Sequence, residues 1–339
     1  MLLLRNLRLL APFALTMGLV GTPPVAAQTA PAHGASAPLA TAPWLSLSEL
    51  RHRYADPASR FMTIKGLEVH YKDEGPRGAP VMFMVHGSNS SLRTWDVIAA
   101  QLKTRYRIIR YDIPGYGLSG RISDEAARTV QPVDIAEGLI DALGVRRITF
   151  VGVSSGGTMG MYLAARRPDL VARLVLSNTP SDPVDTSHLV QPQAFLDAQA
   201  RMKTNGGYQD QIFWDQFLTF FAGAPGRISA RTRREYHDFN RRTPEAHPVA
   251  MTARIGNGKE ADVEMAKIVA PTFLIWGGAD PLLPESAALA LVRHVPHAQI
   301  SRVIMPDVGH YPPLEVPERF ARLLTAYVEA ATPDAAARP

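Results

Sequence analysis

The strongest constraint on this chain is a rhythm of short apolar runs separated by segments of helical period. The runs at 81–85 (Val-Met-Phe-Met-Val), 148–151 and 272–276 are apolar at nearly every position rather than at alternate ones. That pattern belongs to strands buried on both faces. Shorter runs at 61–65 and 67–71 flank Gly66 and read as a starting hairpin, and 106–111, 174–177 and 301–305 read as further strands. Helical periods fall at 45–54, 94–102, 133–143, 155–166, 285–293 and 317–331. Alternation of this kind predicts an α/β fold, a mostly parallel sheet covered by helices on both faces. The rhythm breaks between Pro180 and Val263, where helical segments follow one another without a buried strand. The break predicts a helical cap over one end of the sheet. No internal repeat is visible.

The first residues follow a different logic. Arg5 and Arg8 precede an apolar run at 9–20, and Val25-Ala26-Ala27 places small residues before Gln28. This is the three-part pattern of a secretory signal, with cleavage expected after Ala27. The run is short of the ~20 residues a membrane span needs, so no stable membrane anchor is expected after cleavage. With no Arg-Arg pair, the general secretory route is expected, and a periplasmic or secreted location. The expected organisation is a signal peptide at 1–27, a flexible Ala/Pro-rich leader at 28–43, core at 44–180, cap at 181–263, core again at 264–333, and a disordered tail at 334–339. The chain has no cysteine, which excludes disulfides, thiolate metal sites, a cysteine nucleophile and a cysteine-linked lipid. Losing Arg5 and Arg8 lowers the formal charge from +5 to +3, too little to suggest a nucleic-acid partner.

Five turns stand out for their chemistry or for supporting it. Gly152-Val-Ser154-Ser155-Gly156-Gly157 lies between a strand and a helix, where a tight turn lifts a serine hydroxyl clear of the sheet. Ser154 is therefore the candidate nucleophile. Acyl transfer also needs two amides aimed at the developing oxyanion, and the backbone N–H groups of Ser155 and of Ser88, in Val85-His86-Gly87-Ser88-Asn89, are the candidates. His86 is expected to tie that loop down by hydrogen bonding rather than to act as a base. In Tyr111-Asp112-Ile-Pro114-Gly-Tyr-Gly117, Asp112 is expected to be a buried structural carboxylate. Near the end, Asp280 follows the strand at 272–276, and His310 follows the last strand in a Gly-His turn. A neutral imidazole can take the serine proton while a carboxylate on its other nitrogen holds the tautomer. Asp280 is the expected acid, with Asp182 and Asp185 as rivals; Asp307 is too near His310 in sequence to reach around it.

Taken together, these motifs resemble the α/β-hydrolase superfamily, in its capped serine-hydrolase, carboxylesterase-like branch. The pattern is matched at His86, Asp112, Gly152, Gly277 and Gly309, and the likeness spans about residues 60–333. The resemblance implies an eight-stranded sheet with the cap inserted after the sixth strand, and neither metal nor organic cofactor. It also narrows the chemistry by departures. Dehalogenases and epoxide hydrolases of the superfamily carry aspartate where Ser154 stands, and carbon–carbon bond hydrolases carry His-Gly-x-Gly-Pro-Gly where this chain has His86-Gly-Ser-Asn-Ser-Ser91. The expected function is hydrolysis of a small-molecule carboxylic ester of small to medium apolar character. Carbon–carbon hydrolysis or cofactor-free perhydrolysis on the same triad is the alternative, and a non-catalytic binding protein on a hydrolase scaffold is the alternative of another class.

In the cap, Phe213, Trp214, Phe217, Phe220 and Phe221 form one helical stripe. It serves either to glue the cap to the body or to wall the substrate. Phe213, Trp214, Phe217 and, beside His310, Tyr311 are the candidate substrate contacts. The cap arginines Arg227, Arg231, Arg233, Arg234, Arg241 and Arg242 are expected to form a solvated face. Nothing in the sequence bears on oligomeric state.

N-terminal sequencing of the protein recovered from the periplasm tests the export reading. The expected first residue is Gln28, and full-length chain starting at Met1 in the membrane fraction contradicts cleavage after Ala27.

Overall fold

A computed structural model of the chain describes residues 44–245, 247–248 and 259–330. The expected signal peptide, leader and tail lie outside the described residues. Strands β1 (Arg60–Ile64), β2 (Leu67–Glu74), β3 (Val81–Val85), β4 (Arg107–Tyr111), β5 (Ile148–Val153), β6 (Val171–Ser177), β7 (Thr272–Gly277) and β8 (Ile300–Met305) form one sheet in the order β1-β2-β4-β3-β5-β6-β7-β8. The β1–β2 hairpin turns through Lys65 and Gly66, both at positive φ, which matches the twist of the flanking strands. β2 runs antiparallel to both its neighbours, and every pairing from β4 to β8 is parallel.

Before the cap come helices α1 (Leu47–Tyr54), α2 (Asp96–Leu102), α3 (Asp124–Thr129), α4 (Pro132–Ala142) and α5 (Ser155–Arg166). After them come α6 (Gln193–Thr204), α7 (Gln211–Phe221), α8 (Ala230–Asn240), α9 (Lys259–Met265), α10 (Glu285–His294), α11 (Pro312–Glu315) and α12 (Pro317–Ala330). The continuous apolar runs now have their reason. Phe83 and Val85 of β3 point into one core with Leu139, Met159 and Leu163, while Met82 and Met84 point into another with Trp95, Ile98 and Phe320. Both faces of the sheet are dry, so neither can alternate with polar residues.

Several boundaries differ from expectation. The helix expected at 94–102 begins as a 3-10 turn, Leu92–Trp95, because the Ser91 hydroxyl accepts from the Arg93 amide and Asp112 accepts from Leu92 N–H. α3, which follows a Ser123 cap, was not expected; six residues are too few for a period to show. The expected cap boundary at 263 falls inside α9, which packs on α5 and α10 of the body. The cap proper is α6, α7 and α8, with Phe195, Phe213, Trp214, Leu218 and Tyr236 inside it. Its last helix is stitched to the start of the described chain, since Leu45 N–H donates to Arg241 O (2.6 Å) and Thr243 N–H to Leu45 O (3.0 Å).

The cap arginines are not all solvated. Arg242 is buried and donates to Ser119 O (2.7 Å), and Arg233 donates to Asp215 O (2.7 Å) and Pro225 O (2.8 Å). Their guanidinium forks donate to main-chain carbonyls, at Ser119 and Pro225 in turns and at Asp215 on the flank of α7.

Asp112 holds the turn that follows β4. Oδ1 accepts from Leu92 N–H (2.7 Å), and Oδ2 accepts from Leu118 N–H and His70 Nδ1–H (2.7 Å each). Burial opposes the charge, yet the His70 imidazole and these amides hold the carboxyl below its usual range. Its stabilising effect is therefore present above about pH 4 and is lost as pH falls through the lowered native value. Asp112→Asn should cost about 3–5 kcal/mol in urea unfolding at pH 7, with the gap to wild type narrowing below about pH 4. A gap that stays constant with pH would contradict the ionised state.

Candidate active site

Ser154 stands between the last residue of β5 and the first of α5, at φ 53° and ψ −132°. A non-glycine residue there carries about 1–3 kcal/mol of backbone strain, so its surroundings must enforce the conformation. They do so from both sides. Ser154 N–H donates to Ser177 O at the end of β6 (3.0 Å), and Ser154 O accepts from Gly157 N–H (2.8 Å). Gly156 is required by close approach: a Cβ there would lie 2.3 Å from His86 O. The same contact brings the loop after β3 alongside the nucleophile, with Ser88 Oγ 3.0 Å from Ser155 Oγ. Ser155 opens α5, so its amide has no partner within its own helix and points where the helix favours negative charge.

His86 fastens that loop. Its Nε2 accepts from Ile113 N–H (3.0 Å), which leaves Nδ1–H to donate to Gly87 O (2.7 Å). Burial pushes its pKa down, consistent with a neutral ring committed to two backbone bonds.

Asp280 and His310 meet at the ends of β7 and β8. His310 Nδ1–H donates to Asp280 Oδ2 at 2.6 Å, and both residues are buried. Asp280 has two further anchors, since Leu282 N–H donates to Oδ1 (2.8 Å) and the Asn178 amide donates to Oδ2 (2.8 Å). Asn178 follows β6 at φ 39° and also accepts from Gly277 N–H (2.9 Å). Sequence reasoning missed it; its one signal was a polar residue placed directly after a strand. The rival acids are engaged elsewhere. Asp182 accepts from His294 Nε2–H (2.8 Å), Asp185 from Ser187 N–H (2.9 Å), and Asp307 pairs with Arg227 and Arg319.

Ser154 and His310 line one cavity of about 570 Å³, open to solvent, together with Ser88, Asn89, Ser155, Pro180, Val184, Leu282, Leu283, Phe217, Phe221 and Tyr311. Of the expected substrate contacts, Phe217 and Tyr311 reach this cavity, whereas Phe213 and Trp214 do not. Those two pack in the cap interior beside Phe195 and Tyr236: they belong to the same stripe as Phe217 and Phe221 but stand at the other end of α7, in its first turn, and only the later positions 217 and 221 line the cavity. Phe221, outside the expected set, takes their place on the wall. Burial raises the Tyr311 phenol well above its usual value, with Tyr236 and Asp280 adding to the effect, so it stays neutral. Among the described lining residues there is no Lys, Arg, Asp or Glu. Among the described residues no group of three or more His, Cys, Asp or Glu is placed to hold a metal ion.

The family model of the alpha/beta hydrolase fold matches residues 80–317. A 2-hydroxy-6-oxononadienedioate/2-hydroxy-6-oxononatrienedioate hydrolase of Burkholderia vietnamiensis is 27% identical over 77% of this chain and 91% of its own length. A 2-hydroxymuconate semialdehyde hydrolase of Pseudomonas putida is 28% identical over 78% of this chain and 91% of its own. The crystal structure of an enol-lactonase from Burkholderia xenovorans superposes with a TM-score of 0.61 at 21% identity, over 80% of this chain and all of that one. At that identity the structural likeness speaks for the fold.

Asn178→Ala leaves Asp280 with the Leu282 amide and the imidazole. Hydrogen bonds to a charged group are worth about 1.5–3 kcal/mol, so kcat of the hydrolase should fall roughly 10- to 100-fold with little change in KM. An unchanged kcat would show that Asp280 needs no support from β6.

Proposed function

This chain belongs to the alpha/beta hydrolase fold family and is a hydrolase, and on that premise we propose that it opens the acyl–oxygen bond of an uncharged ester through an acyl-enzyme on Ser154. One observation carries the reading: a serine on a strained strand-to-helix turn shares an apolar cavity with a histidine already bonded to a buried carboxylate. His310 Nε2 takes the Ser154 proton as Oγ attacks the acyl carbon, and Asp280 stabilises the imidazolium that forms. The oxyanion rests on two amides, that of Ser88 in the loop after β3 and that of Ser155 at the head of α5. The alcohol leaves with the proton from His310. A water activated by the same imidazole then attacks the acyl carbon and frees the acid and Ser154. The cavity supports an uncharged substrate, since a carboxylate bound among Phe217, Phe221, Val184 and Leu282 would lose its water without gaining a cation from the described lining.

A second reading has its own support. The curated relatives named above are hydrolases of 2-hydroxy-6-oxo dienoate type, and their names favour carbon–carbon cleavage on the same triad over ester cleavage. Against it stand the His86-Gly-Ser-Asn-Ser-Ser91 loop and the uncharged lining, because the first relative's name describes a dicarboxylate. Perhydrolysis uses the same acyl-enzyme with peroxide in place of water. Action in the periplasm or outside the cell is part of the proposal and rests on the N-terminal pattern alone.

Ser154→Ala should lower kcat on p-nitrophenyl butyrate by about 10⁴-fold or more. In a side-by-side panel, kcat/KM for short and medium p-nitrophenyl esters should exceed that for a 2-hydroxy-6-oxo dienoate by about 100-fold, some 2.7 kcal/mol of transition-state binding. Turnover of the dienoate with none of any ester would put carbon–carbon cleavage first.

A further inference from the structure

Glu315 is a buried carboxylate that the mechanism above leaves unused. It ends α11, five residues past His310, and its side chain has no exposed surface. Its two oxygens hold two different parts of the molecule. Oε1 accepts from the amide of Gly309, the residue before His310 (2.9 Å), and Oε2 accepts from the amide of Gly223, two residues past the end of α7 (2.8 Å). α7 is the helix whose Phe217 and Phe221 wall the cavity. Between these anchors the two main chains touch. His310 N–H donates to Phe221 O (2.7 Å), and a Cβ on Gly309 would lie 2.2 Å from the same oxygen.

A lone carboxylate is an expensive way to fill such a space. Burial pushes its pKa up, and the Gly223 and Gly309 amides pull against that, while the Arg227 guanidinium stands off at 3.9 Å. An apolar side chain would pack without that penalty but would leave both amides, the buried one of Gly309 among them, without this acceptor. What the carboxylate supplies, and a hydrophobe cannot, is one rigid bridge between two loops.

We propose that Glu315 is a positioning residue whose bidentate grip on the Gly223 and Gly309 amides makes the His310 loop and the Phe217–Phe221 cavity wall a single unit, so that substrate packed against the wall sets the alignment of the imidazole. The proposal rests on the serine-hydrolase reading. It also gives the cap a role in turnover beyond enclosing the substrate.

Glu315→Gln keeps the volume but offers one acceptor where two amides wait. The expected result is a fall in kcat of about 10- to 100-fold with KM within about twofold, the signature of a displaced catalytic group. The low-field proton resonance of the His310 Nδ1–H···Asp280 bond, read by NMR, should broaden or vanish, whereas Glu315→Asp should restore part of both. Wild-type kcat together with an intact resonance in Glu315→Gln would reduce Glu315 to filling and overturn the proposal. Should the variants fail to fold, amide hydrogen exchange of the wild-type protein decides. The Gly223 and Gly309 amides are expected to exchange together, and Gly223 exchanging more than about tenfold faster would show a cap moving independently of the histidine loop. If the wild-type protein proves to have no Ser154-dependent turnover, the hydrolase reading falls, while the resonance and the exchange rates still judge the bridge.

Discussion

Parallel pairing of β5, β6, β7 and β8 brings the carboxyl ends of four strands to one edge of the sheet, and the site hangs from that edge. Ser154 follows β5, Asn178 follows β6, Asp280 follows β7, and His310 follows β8 after a short turn. Residues far apart in sequence become neighbours because each sits at the same height on adjacent strands. Open α/β sheets concentrate function at this edge, where loops can vary while the strands beneath stay fixed. Here the strands are fixed by packing on both faces, with Phe83, Phe150 and Trp276 on one side and Met84, Val151 and Ile275 on the other.

Rigidity at the edge is then spent on strain. Ser154 and Asn178 both take positive φ, which only a surround of committed hydrogen bonds can enforce. His86 and Asp112 belong to that surround. Each is a buried polar residue whose bonds go to backbone groups or to another buried ring, and each holds a turn against the loop that carries Ser88. The cap contributes from above. The Asn240 side chain of α8 donates to Asn89 O (2.8 Å), and α7 ends against the His310 loop, so both halves of the cavity are tied to the cap by hydrogen bonds.

Much of this was legible in the sequence, and what was not has a common cause. Runs such as 81–85 and 148–151 announce buried parallel strands because a double-faced core forbids alternation. The turn residues announce themselves because tight backbone geometry admits few residue types, as at Gly152-Val-Ser-Ser-Gly156. Asn178 and Glu315 escaped notice because their roles depend on strand order and loop contact, which composition does not encode. The aromatic stripe of α7 was visible as a stripe, but not which of its members faces down: Phe213 and Trp214 turn into the cap while Phe217 and Phe221 line the cavity. Arg233 and Arg242 misled for a similar reason, since a charged residue that caps carbonyls reads in sequence like any solvated one.

A Ser154 activated as a nucleophile by the His310–Asp280 pair is open to covalent capture. The folded protein is treated with a fluorophosphonate and the adduct located by peptide mass spectrometry. One phosphonyl group is expected on the peptide bearing Ser154, and none when His310 is replaced by alanine. No adduct on the folded protein, or an adduct on Ser88, Ser155 or another serine with Ser154 untouched, would contradict it.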